Sequence, residues 1–130
     1  MILLDSSYLI GLILKKDTYT PKSNKLKPLI KHEKKLINNV ILTEVLNSLT
    51  SINSNYDLNN IMDLFKSYEF DFITFDDYMK ALSKFKYYNY AVNFSDCIIL
   101  TTMEKYHVNK IASFDDDFDK VGGIHRIYLE

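Results

Sequence analysis

The 130-residue sequence has one cysteine, three glycines and two prolines. A lone Cys97 excludes an intramolecular disulfide and a multi-cysteine zinc site, and leaves the fold to its core in a reducing interior. With so little glycine and proline, and no repeat or low-complexity tract, nothing marks a boundary between units, so a single domain over residues 1–130 is expected. Long apolar runs are missing as well. Tyr8 to Leu14 and Ile98 to Leu100 are the longest, far short of the roughly 20 residues that a membrane span needs. The start Met1-Ile2-Leu3-Leu4 meets a carboxylate at Asp5 and lacks the basic opening of a signal peptide, which predicts a cytoplasmic protein with no membrane attachment. Charge of one sign is also lacking: 16 basic against 17 acidic residues give a formal net charge of -1, with no overall bias toward a charged partner.

What is present is globular. The chain is 47% apolar and 25% charged, with 10 Tyr and 8 Phe, enough to build a hydrophobic core. Ile2 to Leu4 reads as a short buried strand and Ser6 to Leu14 as an apolar helix, with Asp5 at the junction. Lys22 to Lys35 reads as a basic helix after Pro21, interrupted by Pro28, and Leu36 to Val40 as a second strand. Apolar residues at 41, 42, 45, 46 and 49 predict a helix with Glu44 in its first turn. Leu58 to Tyr68 is a further helix, and Phe70, Phe72, Ile73 and Phe75 suggest a third strand. Asp76 and Asp77 start a helix from Tyr78 to Tyr88, and Ser95 caps another from Asp96 to Tyr106. Lys110 to Ser113 and Arg126 to Leu129 are the last strands. Short strands alternating with helices indicate a parallel α/β sheet covered on both faces, with ligands bound beyond the carboxyl ends of the strands.

Three acids fall at such junctions: Asp5, Asp96 and Asp115, with Glu44 as a fourth. Any one of them has an ordinary structural reading, because an acid in the first turn of a helix caps it and suits its dipole. Together in one crevice they would repel one another unless a divalent cation neutralised them. Oxygen donors without His or Cys point to a hard ion, Mg²⁺ or Mn²⁺.

The segments Leu3-Leu4-Asp5-Ser6-Ser7, Thr43-Glu44, Phe94-Ser95-Asp96-Cys97-Ile98-Ile99 and Ile111-Ala112-Ser113-Phe114-Asp115-Asp116-Asp117-Phe118 occur in the order found in PIN domains. The chain resembles that family over nearly its whole length, most closely its VapC-like toxin ribonucleases. The resemblance implies an α/β PIN-like fold, a central five-stranded parallel sheet flanked by helices in three α/β/α layers. It implies a metal-dependent endoribonuclease that hydrolyses RNA phosphodiester bonds with Mg²⁺ or Mn²⁺. Asp5, Glu44, Asp96 and Asp115 match the family's catalytic acids. Asp5, Asp96, Asp115 and Asp117 would hold metal, and Ser6 and Ser113 would support the carboxylates. An RNA substrate, a VapB-like antitoxin partner and a homodimer are implied too. The competing reading is a PIN-like scaffold that binds RNA or a partner without cleaving.

Other motifs yield less. A calcium loop from Asp115 would need Gly where Lys120 stands and Glu where Arg126 stands. A haloacid-dehalogenase phosphatase would need Asp at Ser7, and a phosphoacceptor receiver would need an acidic pair after the first strand. His32, His107 and His125 lack ligand spacing and read as surface residues, and Cys97 reads as a small buried hydrophobe. Eight lysines between Lys15 and Lys35 face only Asp17 and Glu33, a stretch that reads equally as a solvated face or as a contact for the RNA backbone. Tyr87, Tyr88 and Tyr90 read as core or partner contacts, or as a surface for bases. With the five candidate site acids set aside, 16 basic residues stand against 12 acidic ones. The near-neutral sum thus conceals an acidic site and a basic stretch.

Overall fold

Ile2, Leu3 and Leu4 have no exposed surface, because the strand they form, β1 (Ile2–Leu4), is the middle of a five-stranded sheet. The computed structural model describes residues 1–14, 17–49 and 57–128. The other strands are β2 (Lys35–Asn38), β3 (Glu69–Asp71), β4 (Lys110–Ala112) and β5 (His125–Ile127), in the order β3-β2-β1-β4-β5, all parallel. Leu3 stands opposite Leu36 on one side and Ile111 on the other, so the register rests on apolar residues. A parallel central strand with no polar side chain must be covered on both faces. Among the described residues the cover is six helices: α1 (Ser6–Ile13), α2 (Thr20–Leu29), α3 (Asn39–Ser48), α4 (Leu58–Lys66), α5 (Phe75–Tyr87) and α6 (Phe94–Lys105). The first packs on α2 and α3, and α5 packs on α6. A 3-10 helix at Asp116–Lys120 follows β4. The expected architecture of a five-stranded parallel sheet flanked by helices is present. Among the described residues no helix is long and apolar enough to cross a membrane.

Several boundaries differ from the sequence reading, each for a local reason. The basic helix does not run from Lys22 to Lys35. It begins at Thr20 with Pro21 in its first turn and stops at Leu29, because Pro28 offers no amide to the preceding turn. Lys35 opens β2, with its Nζ donating to the carbonyls of Ile30 and Glu33, and Lys34 pairs with Glu69. Lys15 and Lys16 of the same stretch lie outside the described residues. Strand β2 ends two residues early because Asn38 turns inward as a cap, accepting from the Ile41 amide, so Asn39 and Val40 join α3. The third strand stops at Asp71, and Phe75 belongs to α5, which is capped by Thr74 in a reciprocal box with Asp77 rather than started by Asp76 and Asp77. Helix α6 is capped by Asn93, not Ser95. The last strand is His125–Ile127, and Leu129 lies outside the described residues.

A buried polar chain crosses the sheet's carboxyl edge at β2 and β3. Asn38 Nδ2 donates to Thr102 Oγ1, which donates to Asp71, and Lys105 reaches both Asp71 (2.8 Å) and Asp77 (2.9 Å). These acids have partners inside the fold, so the network is a structural brace.

Helices α1 and α2 meet without a side chain between them at Gly11. A Cβ there would lie 2.4 Å from Ser23 Oγ and 3.0 Å from the Tyr19 backbone. Ser23 cannot yield, since its hydroxyl donates to the Tyr8 carbonyl at 2.9 Å. Gly11→Ala is therefore expected to cost about 1–3 kcal/mol in chemical denaturation. Gly122→Ala, where a Cβ meets nothing within 4 Å, should stay within about 0.5 kcal/mol of wild type. Equal losses in the two variants would refute this account of the α1–α2 contact.

Candidate functional site

Asp5 follows the last residue of β1, and its amide donates to Ala112 of β4, so its position is fixed by the sheet. It is the N-cap residue of α1, yet its side chain makes no capping bond. Instead Oδ2 accepts from Ser113 Oγ at 2.7 Å and from Ser7 Oγ at 2.8 Å. Ser7 also accepts from the Phe114 amide, and Ser113 from the Asp115 amide. The two hydroxyls thus staple the β1–α1 junction to the segment leaving β4. Ser113, named from the sequence as a support for the carboxylates, makes one of these contacts. Ser7, which the sequence reading does not name as a support, makes the other. Its signal was its place two residues after Asp5, in the first turn of α1, where a short hydroxyl reaches back to the junction.

Glu44 lies in the second turn of α3, not the first, because that helix starts at Asn39. There it has no capping role and accepts from Ser6 Oγ at 2.7 Å. Asp96 is the third residue of α6, whose cap is already supplied by Asn93, and it is buried to 7% exposure. Its Oδ2 is buried with no hydrogen-bond partner. Capping therefore explains none of Asp5, Glu44 and Asp96. Asp115 does cap the 3-10 helix, accepting from the Asp117 amide at 2.9 Å, and Asp117 receives Lys120 Nζ at 2.7 Å. Asp116, between them, is exposed and outside the cluster.

Carboxylate oxygens of Asp96, Asp115 and Asp117 lie within 4.8 Å of one another. Asp5, Ser6, Ser7, Glu44, Asp96 and Asp115 line one cleft of about 310 Å³, with Asn93 and Ser95 beside them. All five acids named from the sequence thus gather at one edge, but the tight set is Asp96 with Asp115 and Asp117, and Asp5 stands next to it. The histidines take no part. His32, His107 and His125 are exposed, and Cys97 is buried with its thiol toward the Val92 carbonyl.

The electrostatics match the crowding. Burial, then the neighbouring charges of Asp115 and Asp5, push the Asp96 carboxyl up to about 8. Burial also raises Asp5, against the two serine hydroxyls that favour its charged form, and Glu44 adds to the rise. A site built only of carboxylate oxygens, one of them buried without a donor, fits a hard divalent cation. Apart from the Lys120–Asp117 pair, a bound cation would offset the charge that this crowding gathers.

The sequence and fold have known counterparts. A family model described as the PIN domain matches residues 2–124. No curated protein matches the sequence. Among solved structures, the chain is similar to Mycobacterium tuberculosis VapC20, described as a Sarcin-Ricin loop cleaving toxin, with a TM-score of 0.84 and 17% identity over 99% of this chain and 100% of that one. It is also similar to a chain of a toxin-antitoxin complex from Klebsiella pneumoniae, with a TM-score of 0.73 and 17% identity over 96% of each. A third is from VapBC2 of Rickettsia felis bound to a DNA fragment from their promoter, with a TM-score of 0.69 and 14% identity over 99% of this chain and 100% of that one. At such identities the likeness is one of fold.

The folded chain keeps a proton on Asp96 across a range in which the unfolded chain has released it, so stability falls as the pH rises from the ordinary carboxylate range toward about 8. Urea denaturation in the presence of a chelator should give a less stable protein at about pH 8 than at about pH 5. Asp96→Asn should flatten most of that dependence and raise the melting temperature at the higher pH by about 3–5 °C. A wild-type chain equally stable at both pH values would sink the assignment.

Proposed function

The chain belongs to the PIN domain family, and on that premise we propose that it is a metal-dependent endoribonuclease hydrolysing RNA phosphodiester bonds, the toxin of a VapBC-type toxin–antitoxin pair. The observation that carries the reading is the buried, unpartnered Asp96 Oδ2 inside a cleft of converging carboxylates. A fold that only needed acids for capping would have no reason to place one there.

Asp96, Asp115 and Asp117 would hold Mg²⁺ or Mn²⁺, with Asp5 completing the site. When bound, the ion supplies Lewis acidity and positive charge against the charge that builds on the phosphoryl group. The chain's own residues do the rest. Ser7 and Ser113 fix Asp5 Oδ2, so one oxygen of Asp5 is committed to the frame and the carboxylate keeps its orientation. Ser6 holds Glu44 Oε2, leaving that carboxylate facing the cleft to take up a proton from the attacking water. Hydrolysis then breaks the bond from phosphorus to the leaving ribose oxygen, which takes its proton from solvent.

The same reading includes an antitoxin-type protein partner and a homodimer, in the cytoplasm. Support comes from the neighbours described as toxin–antitoxin assemblies and from an exposed apolar row on α5, where Phe75, Met79 and Leu82 recur at helical spacing.

Cleavage of RNA is expected with Mg²⁺ or Mn²⁺ and not with a chelator. Asp5→Asn and Asp96→Asn should lower it by about two orders of magnitude or more. Ser7→Ala and Ser113→Ala should lower it by roughly 10- to 100-fold, the range of groups that orient metal ligands. Mn²⁺ should also raise the melting temperature of wild type and not of Asp96→Asn. Cleavage unchanged in both Asn variants would leave the non-cleaving scaffold as the better reading.

A further inference from the structure

One side of the acidic segment carries an aromatic pair that the reaction does not use. Phe114 sits between Ser113, which is bonded to Asp5, and Asp115, and its amide donates to Ser7 Oγ. Its ring is therefore attached to the same frame as the carboxylates. Tyr19, at the start of α2, stacks on it with ring centroids 4.7 Å apart and planes 16° from parallel. Gly11 makes this possible by letting the Tyr19 backbone lie against α1. Although one ring face is covered by Phe114, Tyr19 remains 37% exposed. Phe114 also packs against the hydrophobic core, whereas Tyr19 lies outside that core and leans on Phe114 with solvent still reaching it.

Helix α2, which follows Tyr19 directly, contains no acidic residue. Lys22 and Lys25 follow Tyr19 at three-residue spacing, which sets the three side chains in a row along α2. Both lysines are exposed, and neither is in an ion pair among the described residues. The nearby Asp17 is turned back, accepting from the Tyr19 amide. Lys27 and Lys31 are exposed too but stand farther from Tyr19 along the chain, and Lys34 and Lys35 are engaged within the fold.

We infer that Tyr19, backed by Phe114, is a stacking platform for an unpaired base beside the acidic cleft, and that Lys22 and Lys25 carry the adjoining phosphates, so that the chain takes a single-stranded segment of RNA. This rests on the nuclease reading for the identity of the ligand. A single strand offers alternating π-faces and phosphates, which match an aromatic ring followed by a row of cations. A duplex hides its base faces and engages only the lysines. An acidic peptide likewise satisfies the lysines and leaves the ring without a role.

The test is fluorescence anisotropy with a labelled short oligoadenylate, single-stranded or in a duplex, on the full chain carrying Asp96→Asn so that the probe stays intact. The single strand should bind about tenfold more tightly than the duplex. Tyr19→Leu should weaken single-strand binding by about tenfold with an unchanged salt dependence, and Tyr19→Phe should bind within about twofold of the parent. Each of Lys22→Gln and Lys25→Gln should reduce the slope of log affinity against log salt by about 0.7. Tyr19→Leu binding as tightly as Tyr19→Phe, or a duplex held as tightly as the single strand, overturns the platform. Unaltered salt slopes in both lysine variants overturn the phosphate row. Cleavage is scored separately on the chain with its native Asp96. Its absence defeats the nuclease reading whatever the anisotropy gives, and the anisotropy decides the platform whatever cleavage gives.

Discussion

The rest of the site depends on the three-way contact of Asp5, Ser7 and Ser113. Its bonds are short, from 2.7 to 2.8 Å into one carboxylate oxygen, and the one from Ser113 joins chain positions 108 residues apart. Because Ser113 and Ser7 also take the amides of Asp115 and Phe114, the contact sets where the last acidic segment leaves the sheet. The carboxylates thereby converge by construction rather than by flexible reach. Two small hydroxyls oppose the desolvation of Asp5 enough to keep a buried acid in place, while Asp96 is left with an oxygen that no donor satisfies.

The sheet serves this contact. Strands β1 and β4 are adjacent and parallel, so their carboxyl ends open at the same edge, where Asp5 and Ser113 emerge. Helices α1, α3 and α6 start at that edge too, and bring Ser6 and Ser7, Glu44, and Asp96. The edge then divides into two regions of opposite character. At β2 and β3, Asp71 and Asp77 are neutralised by Lys105, and the acids are structural. At β1 and β4, among the described residues, no basic side chain pairs with Asp5 or Asp96, and Lys120 pairs with Asp117.

Element order, the parallel sheet and the placing of Asp5, Glu44, Asp96 and Asp115 near element junctions were legible in the sequence because each depends on local patterns: an apolar triplet at Ile2–Leu4, helical spacing in α3, a short strand before the Asp115 to Asp117 run; Asp117 came with the PIN resemblance. What was not legible was side-chain direction at junctions. Asn38, Thr74 and Asn93 turn out to be the caps, and that choice frees Asp96 and shifts Glu44 by a turn. Single-sequence patterns do not rank neighbouring Asn, Thr, Ser and Asp as caps, since all four accept the same amides. The Asp71–Thr102–Lys105 brace was missed for a different reason. Asp71 lies 31 and 34 residues from Thr102 and Lys105, a separation that no local spacing marks. The lysine stretch was seen as one unit, and Pro28 breaks it into parts with different duties.

Lys120 lies at the other end of the scale of rigidity. From the 3-10 helix its Nζ reaches both Asp117 and the carbonyl of Ala91, in the loop that leads to Asn93 and Asp96. The cleft is therefore closed in two unlike ways. Its floor is sewn by serine hydroxyls on buried backbone, and its rim is buttoned by one long, half-exposed side chain whose ion pair water screens. The acids are therefore held unequally, from beneath by hydroxyls locked into the sheet and at the rim by a side chain that solvent also reaches.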